Sequence, residues 1–478
     1  MFYLLKKSCL FIGMLTVLLT PFTVSAQDTP LRLEDVLASS VRYTPEILLE
    51  IAERQEAAGY AQAARGAFDV NLGANGFSRA TGFWSGSVVE LEAKQNIGVY
   101  GAQVYGKYRI SDGRFPIYED EYFTNSLGEF KVGTLFSLLR NRDIDENRFN
   151  IRDTALAQKQ AETDILFQKI IIQQQASQAY WNWVVTGHQY EVYRQLLSIA
   201  NERQKALEIQ VQEGAVADVF ILENRQNITR REKLVTEAKQ RFQAAAIRLG
   251  YYLRQPDGNT RLPTVKELPE IAVFERHINL SFPQLLRPSQ ILQTRPELRQ
   301  LKIAIERLNQ TVNLRENDLA PQLDLSLELS RDFGSIAEGG SSRASTDTIV
   351  GLQFSIPLGQ RKAKGKLAAA KAKRKALRQK ARMVQDKIQL ELQRVTLDLK
   401  VSQEMLALAK QETGQSRLLA DAEQVRFQNG ASDFFLLNIR EERATTAQIE
   451  ELKAHLTQRI SLANFYAASM NLEKLGIL

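Results

Sequence analysis

FQNGASDFFLLNIREE, residues 427–442, places a glycine and an aspartate inside a run that otherwise reads as uninterrupted helix. A related phrase, VQEGAVADVFILENRQ, occupies residues 211–226, so Gly214 and Gly430 stand in the same context 216 residues apart. A glycine can adopt the backbone conformation that ends one helix, and an aspartate can cap the next. The two phrases therefore predict two helical hairpins in a duplicated chain.

The duplication extends beyond these turns. TPEILLEIAERQEAAGYAQAARGAFDVNL from Thr44 aligns without a gap to RPELRQLKIAIERLNQTVNLRENDLAPQL from Arg295, at an offset of 251. FSLLRNR from Phe136 aligns to FSIPLGQ from Phe354 at an offset of 218, so the first repeat carries 33 additional residues after Leu72. Each repeat thus has the same order of parts, and the first contains an insertion.

The distribution of proline predicts where the long helices run. No proline lies between Pro116 and Pro256, and none follows Pro357. Because an interior proline costs a helix about 3 kcal/mol, these tracts can hold long helices. We predict two long helices, each followed by a shorter returning helix, over residues 143–212, 218–254, 361–428 and 433–472. The proline-rich stretch 255–290 between the repeats is predicted to be an irregular connector.

Alternation with a period of two predicts strands in each repeat. In QLDLSLELS, residues 322–330, leucine alternates with polar side chains, and residues 348–357 alternate in the same way. The first repeat has four candidate strands, of which the second and third form the insertion; they are 70–78, 88–96, 102–111 and 127–138. Strands of this length can cross a bilayer when tilted, although a half-buried sheet of a soluble protein gives the same alternation.

The first residues predict export. Two lysines precede an apolar stretch, Cys9–Phe22, which is followed by Val24-Ser25-Ala26, a pattern that signal peptidase cuts. We expect residues 1–26 to be a cleaved signal peptide; an uncleaved anchor is the alternative, but a spanning helix needs roughly 20 apolar residues. Cys9 is the only cysteine, so no disulfide is expected after cleavage. Because no later segment is long and apolar enough for a spanning helix, a membrane location would require a closed β-barrel.

Composition and motifs argue against several functional classes. The chain of 478 residues has a formal net charge of +7, too little to indicate nucleic-acid binding. His188, His277 and His455 are scattered, with no cysteine nearby, which argues against a metal site. GQRKAKGKL at residue 359 fails as a phosphate loop because five residues separate its glycines and Leu367 replaces the Ser or Thr. With no catalytic motif either, the sequence predicts neither an enzyme nor a cofactor.

Taken together, these features resemble the TolC family of outer-membrane efflux proteins over residues 31–472. The carriers of the resemblance are the helix starts at Pro45 and Pro296, APQLDLSLELS from residue 320, VGLQFSIPLGQRKAKGKLAAAKAK from residue 350, QAYWNW from residue 178, and the turns QEGAVAD and QNGASD. No single motif is specific to the family. Their order, spacing and duplication, taken together, are specific to it.

The resemblance implies a mainly α-helical fold with a membrane β-barrel and an internal two-fold structural repeat. Three chains would each give four strands to a 12-strand barrel and four helical columns to a coiled-coil tunnel across the periplasm. Two strands per repeat cannot close a barrel alone, since the smallest barrels have about eight strands, which supports a homotrimer. The inserted hairpin could lie outside the barrel or enlarge it to 18 strands; we expect 12. The two repeats are expected over residues 27–254 and 291–478, with residues 255–290 at the equator.

The resemblance also places a gate at the periplasmic tips, where the turns would meet a membrane-fusion adaptor. The expected tip residues are Glu213, Gly214, Asp218, Phe427, Gly430 and Asp433. In a trimer each carboxylate would form a ring that favours cations, whereas the simpler interpretation of Asp218 and Asp433 is helix capping. The two roles are compatible. Relatives with a tyrosine-arginine latch have Tyr three residues before the glycine and Arg two after it; Phe427 and Ser432 stand there, so that latch is absent.

Eleven basic residues and no acids lie between Arg361 and Arg382, directly after the last predicted strand. A solvated helix face is the usual meaning of such a run. Its position instead favours contact with outer-membrane phospholipid headgroups for the first four, Arg361, Lys362, Lys364 and Lys366.

By resemblance, the chain belongs in the outer membrane of a Gram-negative envelope, with most of its mass in the periplasm. Its partners would be a periplasmic adaptor and an inner-membrane pump driven by protons or by ATP, and not nucleic acid. Drug or metal efflux and type I protein secretion both remain open. From a different class, a periplasmic coiled-coil scaffold with a small soluble sheet is the alternative.

Overall fold

The structure, a computed structural model, describes residues 29–116, 122–274, 288–336 and 345–477. Its helices are α1 (Leu33–Tyr43), α2 (Pro45–Arg65), α3 (Glu146–Gln212), α4 (Val219–Gly250), α5 (Pro288–Thr294), α6 (Pro296–Asn317), α7 (Arg361–Gln428) and α8 (Phe434–Ala468). Its strands are β1 (Asn71–Ser78), β2 (Gly86–Asn96), β3 (Gln103–Gly113), β4 (Glu129–Ser137), β5 (Gln322–Asp332) and β6 (Thr346–Ser355). The predicted signal peptide, His277 and part of the predicted connector lie outside the described residues.

Two proline-free helices set the length of the fold. α3 has 67 residues and α7 has 68. At 1.5 Å per residue, each is about 100 Å long. α3 begins where the Asp145 carboxylate accepts a hydrogen bond from Arg148 N at 2.8 Å. α2 and α6 begin at Pro45 and Pro296, because the fixed backbone angle of proline suits the first helical turn.

Four shorter helices pack along α3 and α7 in two tiers. In the tier next to the strands, α2 and α6 flank α3, and α6 also packs against α7. In the tier next to the glycine turns, α4 and α8 flank α3, and α8 lies along α7. Four helical columns therefore lie side by side at each level, and the two long helices are shared by both tiers.

The largest buried cluster lies near the middle of α3, where α1, α4, α8 and the connector meet it. Trp183 is fully buried there, and its ring stacks on Phe242 of α4 with 6.1 Å between ring centroids. α1 docks through polar contacts: Ser40 Oγ donates to Gln173 Oε1 at 2.6 Å, and Gln173 Nε2 donates to Leu37 O at 2.8 Å. This cluster, at the equator of the fold, fixes the two tiers relative to each other.

All six strands form one antiparallel sheet in the order β1-β2-β3-β4-β5-β6. The six predicted strands are present, and their ends differ from the predicted ends by no more than two residues. The expectation of a 12-strand barrel counted four strands per chain and left the inserted hairpin out; in the sheet of the single chain, the hairpin strands take part as well. The inserted hairpin β2–β3 lies between β1 and β4 and is hydrogen-bonded to both, since a full ladder on each side satisfies its backbone.

The helix ends also show where local sequence signals were insufficient. α1 is a separate helix that was not predicted; it stops before Thr44, whose extended backbone is favoured by the following Pro45. α4 and α8 end at Gly250 and Ala468, each four residues before the predicted end. After α8 the chain turns at Met470, which has φ 60°. No described helix is both long and apolar enough to span a membrane.

Two helical glycines test the equatorial packing. A Cβ on Gly187 would lie 2.6 Å from Leu268 Cδ1 and 2.9 Å from Phe242 Cε2, whereas one on Gly414 of α7 would meet nothing within 4 Å. We expect Gly187→Ala to destabilise the fold by roughly 1–3 kcal/mol through overpacking. Gly414→Ala is the matched control and should be neutral or stabilise by up to about 1 kcal/mol. Thermal unfolding followed by circular dichroism measures both, and equal midpoints for the two variants would contradict this packing.

Candidate functional site at the helical turns

Each long helix ends in a glycine turn of the same geometry. Gly214 has φ +72° and Gly430 has φ +71°, in the left-handed region that favours glycine. In both turns the glycine N–H donates to the carbonyl three residues back and the next N–H donates to the carbonyl five residues back, at 2.8 to 3.0 Å. This is the pair of hydrogen bonds of a Schellman motif. The two glycines therefore end α3 and α7 by the same mechanism.

The aspartates that follow the glycines differ. Asp433 has an extended backbone, and its carboxylate accepts a hydrogen bond from Leu436 N at 2.7 Å, so it caps α8 as predicted. The predicted cap at Asp218 was wrong. Its backbone is already helical (φ −53°, ψ −26°), and its side chain makes no capping hydrogen bond. Sequence spacing could have revealed this: Asp433 follows its glycine by three positions but Asp218 by four, which leaves Ala217 at the capping position.

Aromatic rings join the two turns. Phe434 is buried at the start of α8, and its ring centroid lies 6.0 Å from that of Phe220 in α4 and 6.4 Å from that of Phe427 in α7. The guanidinium of Arg203 in α3 lies over the same ring, 5.7 Å from its centroid. Phe434 therefore contacts or lies beside all four columns. Sequence reasoning selected Phe427 and missed Phe434, although the aromatic pair directly after Asp433 was a visible signal.

A polar clasp closes the second turn within the chain. Glu423 of α7 is buried, accepts a hydrogen bond from Ser432 Oγ and lies 3.4 Å from Arg426 Nη1. Arg426 Nη2 donates in turn to Ala431 O at 3.2 Å. Ser432 thus makes a local contact at the position where relatives with a latch carry arginine. Around this clasp, the carboxylates of Glu213, Asp218 and Asp433 are exposed to solvent.

Farther from the turns, Glu441 of α8 holds two arginines together. Its Oε2 accepts hydrogen bonds from Arg203 Nη1 at 3.1 Å and from Arg231 Nη2 at 3.0 Å. Arg231 is 1% exposed, and its Nη1 donates to Leu196 O at 2.8 Å. Burial lowers the pKa of Arg231, while the hydrogen bond and the charge of Glu441 oppose that shift. Arg203, Arg231 and Glu441 therefore connect α3, α4 and α8 within the tier next to the glycine turns.

The predicted headgroup-binding cations lie at the opposite end of α7, one 68-residue helix away from the turns. They are exposed, and in the described residues none of them forms an ion pair; they are Arg361, Lys362, Lys364 and Lys366. α7 begins without a side-chain cap and without an acidic residue in its first turn. Since cations at a helix N-terminus oppose the helix dipole, stability of the helix does not account for their position.

The structure thus places long helical columns between a six-stranded antiparallel sheet at one end and two glycine turns at the other. Residues 287–469 match the family described as "Outer membrane efflux protein". This segment, which runs from α5 to α8, is therefore similar to outer-membrane efflux proteins, in agreement with the TolC-family resemblance of the sequence motifs. The match favours an outer-membrane efflux protein over the alternative of a periplasmic coiled-coil scaffold with a small soluble sheet.

Solved structures of outer-membrane channels share the fold. The outer-membrane channel OprN has a TM-score of 0.64 at 17% identity, over 91% of this chain and 89% of that chain. The CmeC outer membrane channel of Campylobacter jejuni has a TM-score of 0.64 at 14% identity, over 93% and 89%. VceC of Vibrio cholerae has a TM-score of 0.63 at 13% identity, over 91% and 95%. A comparison with curated proteins returns no match.

The unequal caps predict unequal fraying at the two turns. Asp433→Ala removes a capping bond, which is worth about 1 kcal/mol, so we expect the amides of residues 434–437 to exchange with solvent roughly fivefold faster. Asp218→Ala removes no cap and should leave exchange at residues 219–222 unchanged. Hydrogen exchange read by mass spectrometry measures both segments. Faster exchange after Asp218→Ala would show that its carboxylate caps α4 in solution.

Glu441 and Glu442 are adjacent in sequence, but Glu441 pairs with a buried arginine and Glu442 pairs with an exposed one. Glu441→Ala leaves the buried Arg231 and the partly buried Arg203 without their anion, which we expect to destabilise the tier next to the glycine turns by roughly 3–5 kcal/mol. Glu442→Ala removes a half-exposed partner of Arg230 and should cost at most about 1 kcal/mol. Guanidinium denaturation followed by circular dichroism compares the two variants. Equal losses would remove Glu441 from its proposed role in joining α3, α4 and α8.

Proposed function

We propose that three copies of the chain form an exit duct in the outer membrane, through which solutes pass passively from the periplasm or an inner-membrane pump to the exterior. The observation that carries the proposal is a sheet with two open edges and an exposed apolar face at the end of helices about 100 Å long.

The sheet is incomplete in one chain. β1 and β6 form its edges, and every residue of β1 and nearly every residue of β6 is exposed. Leu72 of β1 is 79% exposed, and Leu352 and Phe354 of β6 are 69% and 63% exposed. Long exposed edge strands pair with further strands, and apolar side chains this exposed require cover. Neighbouring copies would pair with the edges and lipid would cover the apolar face.

The number of strands permits such closure. With six antiparallel strands, β1 and β6 run in opposite directions, so β6 of one copy can pair antiparallel with β1 of the next. Four helical columns per copy would continue below the barrel as a tunnel of twelve. Helices of this length are ample for a tunnel across the periplasmic space.

At the turns, three-fold symmetry would convert exposed carboxylates into rings. Glu213, Asp218 and Asp433 would each contribute three charges around the tunnel end, and such rings favour cations. The same tips, with Gly214, Gly430 and Phe427, would receive the hairpins of a periplasmic adaptor that links the duct to an inner-membrane pump. The pump, driven by protons or ATP, would determine whether the cargo is a drug, a metal or a secreted polypeptide.

At the other end, the exposed cations that begin α7 lie a few residues after β6. They would meet phospholipid phosphates at the inner leaflet of the outer membrane, where each basic side chain contributes about 1 kcal/mol. Lipid phosphate would also compensate the positive end of the α7 dipole, which lacks an acidic partner in its own first turn.

Membrane fractionation and single-channel recording test the duct. We expect the full chain to be extracted from outer membranes only by detergent, to migrate as a heat-resistant trimer band, and to conduct ions in planar bilayers. A freely soluble periplasmic monomer would exclude the proposal.

Charge-neutral variants test the rings separately from the fold. Asp218→Asn and Asp433→Asn remove charge, and asparagine still caps a helix. We expect each variant to reduce the cation preference of the reconstituted pore, measured as the reversal potential in a salt gradient. Asp257→Asn, at an exposed carboxylate of the connector, is the matched control and should leave the potential unchanged. Wild-type selectivity in both tip variants would remove these aspartates from the gate.

A further inference from the structure

The inserted hairpin β2–β3 is an integral part of the sheet. β1 pairs with β2 along its whole length, and β3 pairs with β4 from Gln103 to Arg109. β1 and β4 therefore have no direct ladder in the described residues, and the hairpin occupies the space between them. A hairpin folded back outside the sheet would leave β1 free to pair with β4.

One face of the sheet is apolar across both the hairpin and the neighbouring strands. Leu91 of β2 lies opposite Tyr108 of β3, which lies opposite Phe130 of β4. Leu91 and Phe130 are 51% and 50% exposed. In the next row, Val132 of β4 lies opposite Leu329 of β5, and both are also exposed. The hairpin thus continues an apolar surface that begins on the strands common to both repeats.

The opposite face carries charged side chains that pair across the strands. Arg109 Nε of β3 donates to Glu90 Oε2 of β2 at 3.0 Å, and Arg109 Nη1 lies 3.8 Å from Glu129 Oε2 of β4. Lys131 Nζ of β4 lies 2.9 Å from Glu328 Oε1 of β5. These five side chains are 14% to 20% exposed. The charged face is therefore more covered than the apolar face, the reverse of a sheet in water.

Tyr105 of β3 fastens the hairpin to this charged face. Its ring lies over Gly133 of β4, its register partner, where a Cβ would come within 2.3 Å of Tyr105 Cζ. Its hydroxyl reaches past β4 and donates to Glu328 Oε2 of β5 at 2.6 Å. Only glycine at position 133 leaves room for this crossing, so the insertion and the shared strands are matched in shape.

The hairpin also has the same height as the shared strands. Its turn lies at the helical end of the sheet, where Asn96 Nδ2 donates to Ala67 O at 2.8 Å and Ser137 N donates to Tyr100 O at 3.2 Å. Ala67 follows α2, and Ser137 ends β4. β2 and β3 have 11 residues each, long enough for the same bilayer crossing as β4 and β5.

We propose that β2–β3 is part of the barrel wall, with its apolar face against lipid acyl chains and its charged face lining the exit pore. The inference rests on the trimeric duct proposed above. Three copies of six strands give 18 strands rather than 12. Barrel diameter grows roughly linearly with strand number, so the exit is about 1.5 times as wide and lies in the range that leaves an aqueous channel. Because the cations and carboxylates of the lining pair with each other, this exit selects by size more than by charge.

Single-cysteine variants of the full-length chain test which face of the hairpin contacts lipid and which contacts water. With Cys9→Ser as background, Leu91→Cys and Lys107→Cys probe the apolar and charged faces of the hairpin. Leu327→Cys and Ser326→Cys probe the same two faces on β5, a strand that both repeats possess. Each cysteine is labelled with an environment-sensitive fluorophore in trimers reconstituted into brominated phosphatidylcholine. Reaction with a membrane-impermeant thiol reagent is measured in parallel.

We expect bromine quenching at positions 91 and 327 to be several-fold stronger than at 107 and 326. The impermeant reagent should modify 107 and 326 faster. Quenching at 327 without quenching at 91 would overturn the wall position of the hairpin and leave the exit duct standing. Absence of quenching at both 327 and 91 would overturn the duct itself.

Discussion

The parallel run of α3 and α7 is the constraint on which the remaining structure depends. Helices about 100 Å long do not persist on intrinsic propensity alone, so they must be packed along their length. The four shorter helices supply that packing in two tiers. The cluster around Trp183 joins the two tiers at the equator, and the ion pairs of Glu441 with Arg203 and Arg231 join the helices of the tier next to the glycine turns. The sheet and the turns thereby lie at opposite ends of one continuous layer of packed helices.

Much of this fold could be predicted because its signals are local. The absence of proline marks the long helices, and two-residue alternation marks all six strands. The positions of Gly214 and Gly430 mark the turns for the same reason, since a left-handed residue is needed at each. The end of α4 was less predictable: Gly250 lies so close to the connector that a Cβ there would come within 2.6 Å of Leu262, a contact that no local pattern specifies.

The candidate site was less predictable for a related reason. Phe434 and Glu441 owe their importance to the meeting of columns that are far apart in sequence. The cap at Asp218 failed through one extra residue, because capping depends on a spacing that similarity of phrase conceals. The hairpin had two placements compatible with the same alternation. The register that seats Tyr105 over Gly133, which places the hairpin within the sheet of the single chain, is a tertiary feature that the alternation does not specify.

The inserted hairpin begins and finishes at the same end of the sheet, the end away from the helices. β1 still rises from α2, and β4 still descends into α3, so the helices below are joined as they would be without it. A single added strand would deliver the chain to the wrong side of the membrane. In the proposed barrel, the circumference would therefore change only by whole hairpins, in steps of two strands per chain, while the length of the helical part is set separately by α3 and α7. The width of the proposed pore and the length of its helical part can therefore change independently of each other.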